Sequence, residues 1–102
     1  MQFLITAYDG KDEGALERRM SVRPAHLEGI KKVKEYGSVV CAGGITNEKG
    51  LPIGSFLVMD FASREILDQY LANEPYVVNK VWVDIKVETV NTVIINDEKV
   101  GK

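Results

Sequence analysis

Apolar positions along the chain fall into short runs whose spacing changes from segment to segment, and those changes mark the elements. Gln2 to Tyr8 opens with Phe3, Leu4 and Ile5 and stops at the Asp9-Gly10 turn signal, which predicts a first strand. From Asp12 to Tyr36 the composition turns to Glu, Leu, Arg, Lys and Ala. A helix is expected there, with Lys31, Lys32 and Lys34 in its closing turns and Gly37 just past its end. Pro24 lies inside that interval and lacks the donor an inner turn needs, so a kink or a restart with Ser21 near the new N-cap is predicted.

Ser38 to Ile45 and Ile53 to Phe61 predict a second and a third strand, joined as a hairpin through the polar residues 47–52. Ser63 caps a short helix reaching about Ala72, striped by Ile66, Leu67, Tyr70 and Leu71. Glu74-Pro75 ends it, because the residue before a proline is pushed out of the α region. Lys80 to Thr89 sets Val81, Val83, Ile85 and Val87 against Trp82, Asp84, Lys86 and Glu88, the alternation of a fourth strand. Val93-Ile94-Ile95 extends it or adds a small strand, and Asn96 to Lys102 reads as a flexible, solvated tail.

The order β-α-β-β-α-β over residues 1–95 predicts an α+β domain of ferredoxin-like type, with both helices on one face of a four-stranded antiparallel sheet. Strands one to three carry near-continuous apolar runs, where a sheet wetted on one side should alternate. Something is therefore expected to cover the second face. A second copy packed sheet to sheet as a dimeric α+β barrel is the simplest cover, and a higher homo-oligomer is its extension. Length points the same way, since a chain of 102 residues buries only about 65% of the surface its unfolded form exposes.

Thirteen basic against fifteen acidic side chains, with no long basic run, argue against nucleic acid as a partner. No apolar stretch approaches the roughly 20 residues of a membrane span. The first residues lack the basic and apolar regions of a signal peptide, so a cytoplasmic protein is expected. One cysteine and one histidine leave no disulfide and no Cys/His zinc set, and neither metal nor other cofactor is expected. Cys41 reads as a small buried hydrophobe within its strand.

His26 is then the one side chain whose ordinary titration falls near neutrality. Its spacing to Ile30 and Val33 turns the imidazole toward the sheet, where it needs a hydrogen-bond partner. It is either a satisfied core histidine or a general acid–base. Glu74 follows the second helix, where the negative end of the dipole disfavours a carboxylate, so it wants a donor nearby. It is either the exposed residue that ends the helix or the partner that orients His26.

Arg23 offers a forked cation to an anionic ligand, or is a surface arginine of a first turn. Ser55 sets a hydroxyl on a pocket wall, without the Gly-x-Ser-x-Gly elbow of a hydrolase nucleophile. Gly43 and Gly44 permit close approach of a ligand to backbone, or serve a turn with positive φ. Tyr8, Tyr76 and Trp82 line a cavity or fill core and dimer contacts.

Arg23-Pro24-Ala25-His26-Leu27, Ala42-Gly43-Gly44, Gly54-Ser55 and Asn73-Glu74-Pro75-Tyr76, in that order, resemble the YciI-like (YCII-related domain) family from Met1 to about Thr89. The resemblance implies a ferredoxin-like fold, dimeric α+β barrel assembly, and a His–Asp dyad facing a small-molecule pocket. The histidine falls on His26 and the Asp-Pro motif on Glu74-Pro75, where the chain departs from the pattern by one methylene. A histidine on the buried face and a carboxylate at an unfavourable helix end lead to the expectation of a small-molecule enzyme using His26 and Glu74 for acid–base chemistry, and the resemblance adds that some relatives resemble dehydrochlorinases of hydroxylated aromatics. Muconolactone isomerases and cofactor-free monooxygenases belong to the wider barrel superfamily. A metabolite-binding or regulatory dimer without turnover is the alternative.

Overall fold

The computed structural model describes residues 1–95, in which the elements run β1 (Gln2–Asp9), α1 (Ala15–Lys32), β2 (Ser38–Thr46), β3 (Pro52–Asp60), α2 (Arg64–Asn73), α3 (Pro75–Val78) and β4 (Trp82–Val90). The strands form one sheet in the order β2-β3-β1-β4, every neighbouring pair antiparallel. This is the ferredoxin-like arrangement predicted from the element order. The expected tail, Asn96 to Lys102, lies outside the described residues, and residues 91–95 form no further strand.

β1 is central, and its strict alternation decides which face is core. Phe3, Ile5, Ala7 and Asp9 turn inward and are buried, joined by Leu57 and Met59 of β3. Val33, Phe61, Leu67, Tyr70, Tyr76 and Val81 complete the core from the helices and their connections, with Trp82 from the start of β4. The outward residues Leu4, Thr6 and Tyr8 stand opposite Val58, Phe56 and Gly54. An apolar strip therefore runs along the middle of the outer face, flanked on β4 by Lys86 and Glu88.

α1 runs unbroken through Pro24. Pro24 is exposed, on the side of α1 where a carbonyl without its donor can reach water, and the predicted restart does not occur. Ser21 is no N-cap, since its hydroxyl donates back to the carbonyl of Arg18 at 2.9 Å. The helix begins at Ala15 and ends in a 3₁₀ turn over Val33–Glu35. Gly37 follows that turn without a left-handed backbone, and a Cβ there would lie 2.7 Å from the carbonyl oxygen of Asp60 and closer still to the ring of Phe61. Its small size, not its conformational freedom, is what this position uses.

The hairpin has the expected polar tip, where the Asn47 side chain accepts from the amides of Lys49 and Leu51 and Gly50 takes φ +80°. Two further expectations need correction. Cys41 is exposed, because a register shift between Val39 and Cys41 turns it to the outer face opposite Val58. The fourth strand starts at Trp82 and not at Lys80, whose φ of 59° is left-handed. A second shift beside Tyr8 and Asp9 then breaks the alternation, exposing Val83 and burying Trp82 opposite Asp9.

Candidate functional site

α1 presents Arg19 and His26, and the 3₁₀ turn after it Val33, at seven-residue intervals on the stripe that meets the sheet, and all three are buried. α2 ends beside that stripe. There Glu74 closes α2 and opens α3, with Pro75 in the first position of the new helix and the Glu74 carboxylate accepting from the Tyr76 amide at 3.2 Å. The sequence placed this carboxylate at an unfavourable helix end. In the folded chain it is also the N-cap of a short helix, with its side chain fully buried.

Three donors converge on Glu74. His26 Nδ1 lies 2.6 Å from Oε1, the Tyr76 amide shares that oxygen, and the Tyr70 hydroxyl donates to Oε2. Burial above all, then the charge of Glu74, pushes the Tyr70 hydroxyl far up from its ordinary value, so it stays a donor. A carboxylate only accepts, so the ring nitrogen facing it carries hydrogen. Nε2 of the neutral ring is therefore left with its lone pair, and it makes no hydrogen bond among the described residues. The ring is clamped by the stacked Tyr76, 4.0 Å away between centroids at 12°, and by the edge of Trp82 at 5.8 Å.

His26 lines a cleft of about 240 Å³ between α1 and the ends of β2 and β3. Arg23, Ser55, Gly43, Gly44 and Tyr76 line it too, so the structure brings these expected residues together, with Glu74 directly behind His26. Arg23 is exposed at the wall and forms no salt bridge among the described residues. Gly43 and Gly44 lie within β2, neither with positive φ, so the turn reading is set aside. A Cβ on Gly43 would come within 2.7 Å of the Phe56 ring, which needs that space. Tyr8 faces the outer side of the sheet and Trp82 supports His26 from the core, and neither lines this cleft.

Three site residues were not singled out from the sequence. Arg19 is buried and donates from Nη1 to both oxygens of Asp9, at 3.0 and 3.1 Å, and from Nη2 to Ser55 Oγ at 2.8 Å. Trp82 Nε1 donates to the same Oγ at 3.1 Å. Burial outweighs the attraction of Arg19 and holds the Asp9 carboxyl above its ordinary range. Tyr70 is the third. Each left a signal: Arg19 precedes His26 by two turns on one stripe, Tyr70 precedes Glu74 by one turn, and Asp9 ends a strand whose odd positions all face inward.

A family model for the YCII-related domain matches residues 1–91. The chain belongs to the YCII-related domain family. Protein YciI from Escherichia coli is 32% identical over 94 residues, which span 86% of this chain and 94% of that protein. Among solved structures, 5-chloro-2-hydroxyhydroquinone dehydrochlorinase (TftG) from Burkholderia phenoliruptrix AC1100, in complex with 2,5-dihydroxybenzoquinone, superposes with a TM-score of 0.76 at 24% identity, over 89% of this chain and 94% of that one. A dimeric ferredoxin-like protein of unknown function from Jannaschia sp. CCS1 gives 0.53 at 16% identity, over 89% and 98%. These two likenesses carry the fold. Within this YCII-family chain, the glutamate at position 74 still reaches its histidine, because the carboxylate is drawn back over α3 by the Tyr76 amide and held by Tyr70.

Proposed function

We propose that this YCII-family protein is a small-molecule enzyme in which His26 removes a proton from a bound metabolite and returns it, with Glu74 holding the imidazole in the competent tautomer. The observation that carries this reading is the 2.6 Å contact of Nδ1 with a buried, three-fold hydrogen-bonded carboxylate, beside an Nε2 that meets no protein donor or acceptor among the described residues. Positive charge builds on the ring as Nε2 takes a proton, and Glu74 stabilises it at no reorganisation cost. Arg23 at the wall favours an anionic or strongly polarised substrate. The step needs no group beyond these side chains, which suits lyase, dehydrochlorinase or isomerase chemistry. The dehydrochlorination performed by TftG is a reaction of that class, and it supports the reading at the level of fold.

The test is a panel of chlorinated and enolisable hydroxyaromatics, followed for chloride release and for uptake of solvent deuterium at carbon. Wild type is expected to exceed His26→Gln by about 10²–10⁴-fold on an accepted substrate. Equal rates on every compound contradict catalysis by His26. A ligand that raises the melting temperature with no product formed supports the non-catalytic alternative.

We further propose that the protein is a cytoplasmic homodimer. No helix among the described residues is long and apolar enough to cross a membrane. The apolar strip of Leu4, Phe56 and Val58 on the outer sheet face is what a second copy would cover, and the Jannaschia protein, dimeric by its own description, has this fold. Light scattering at micromolar concentration is expected to give twice the 11.4 kDa chain mass, and the monomer mass would reject the dimer.

A further inference from the structure

We infer that the Ser55 hydroxyl is the oxyanion donor of the cleft, and that the ligand bound there is an enolisable carbonyl compound. A hydroxyl has two lone pairs and one hydrogen. Both lone pairs of Ser55 Oγ are taken, one by Arg19 Nη2 at 2.8 Å and one by Trp82 Nε1 at 3.1 Å. Its hydrogen is donated to no acceptor among the described residues, and Ser55, only 3% exposed, lines the cleft. The cleft is therefore where that hydrogen is to be used. Two donors on one oxygen, one of them cationic, make its O–H a stronger donor than a solvated serine.

Arg19 also lines the cleft, but it is held in place behind Ser55. Asp9 holds its Nη1 through both carboxylate oxygens, and its guanidinium carbon sits 5.0 Å from the centre of the Tyr76 ring. Its role is to fix and polarise Ser55. Trp82 links the two sides of the cleft, with Nε1 on Ser55 and its ring edge on His26. A substrate that sets its oxygen on Ser55 presents the neighbouring carbon to Nε2. This part rests on the proposed role of His26. The C–H bond breaks, its proton goes to Nε2, its electron pair forms the new C=C bond, and the carbonyl π pair moves onto the oxygen held by Ser55. Return of the proton from Nε2 to either end of the enolate closes the cycle; where the carbon next to the deprotonated one bears chlorine, the oxygen pair reforms C=O, the enolate C=C pair forms a double bond to that carbon, chloride leaves with the C–Cl pair, and Nε2 releases its proton to solvent.

The experiment compares binding of 4-nitrophenolate, whose delocalised oxyanion mimics an enolate, with binding of its neutral ether 4-nitroanisole, at alkaline pH by NMR titration. Wild type is expected to prefer the phenolate. Ser55→Ala should lose about tenfold of that preference while affinity for the ether holds, the loss expected for one hydrogen bond to a charged acceptor. Ser55→Cys keeps a partner for Arg19 and Trp82 with a poor donor, and it should lose the preference in the same direction if the alanine variant fails to fold. A wild type without preference for the phenolate, or variants that retain it, overturns the inference. Binding is read here without any proton transfer, so a failure of Ser55 is distinct from a failure of His26, which the tautomer measurement below addresses alone.

Discussion

Glu74→Ala is expected to destabilise the protein by about 3–5 kcal/mol, the largest effect of any single change at the site. The substitution strips the acceptor from three buried donors at once: His26 Nδ1, the Tyr70 hydroxyl and the Tyr76 amide. It also removes the side chain that caps α3. Against a net stability of about 5–15 kcal/mol for a domain, such a loss takes a large share of the whole. Urea denaturation measures it as a lower midpoint with an unchanged slope. Glu74→Gln keeps one oxygen but turns an amide toward a donor, so its cost should be smaller, about 1–3 kcal/mol. A loss below about 1 kcal/mol for the alanine variant would mean that these donors find water instead.

Arg19→Met is expected to cost about 3 kcal/mol or more near neutral pH, because it leaves Asp9 buried beside Ala7 and Trp82 without its counter-ion. The cost depends on pH with a definite sign. Asp9 already titrates above its ordinary range, so the native state keeps a proton over an interval in which the unfolded chain has released it. Its contribution to stability is present in acid and is lost as pH rises through the folded value. Arg19 supplies both the hydrogen bond and the main attraction that hold Asp9 down, so its removal pushes Asp9 further up. The gap in melting temperature between wild type and Arg19→Met should therefore widen from acid toward neutral pH. A gap that stays constant over that range would show that Asp9 does not feel Arg19.

Much of the fold was legible because periodicity and breakers agree. The alternation of β1, the Asn47–Gly50 turn, the Ser63 cap and the Pro75 break each state a local preference that the packing leaves in place. What escaped were positions where tertiary contact overrules the local signal. Pro24 is tolerated because its side of α1 is wet, and the two register shifts reverse the faces of Cys41 and Trp82, which no period-two count can foresee.

The candidate site divides along the same line. His26 and Glu74 were visible as an apolar-stripe histidine and a misplaced carboxylate. The missed α3 is four residues long, too short for a periodic signal, and it is what gives Glu74 a cap to make. Arg19 and Asp9 were hidden because a charged residue on a buried stripe is read as solvated unless its partner, 10 positions away, is already known. Tyr70 was counted as part of an apolar stripe, which its ring is, although its hydroxyl belongs to Glu74.

The measurement that bears most directly on the dyad is the tautomer of His26, read from ¹⁵N chemical shifts and long-range ¹H–¹⁵N couplings of the neutral ring in wild type and in Glu74→Gln. In wild type the hydrogen should sit on Nδ1, with Nε2 showing the shift of an unprotonated nitrogen, and Glu74→Gln should weaken or abolish that preference. A wild-type ring with its hydrogen on Nε2, or a tautomer unmoved by Glu74→Gln in a folded variant, would contradict an imidazole held by Glu74 for proton removal in the cleft.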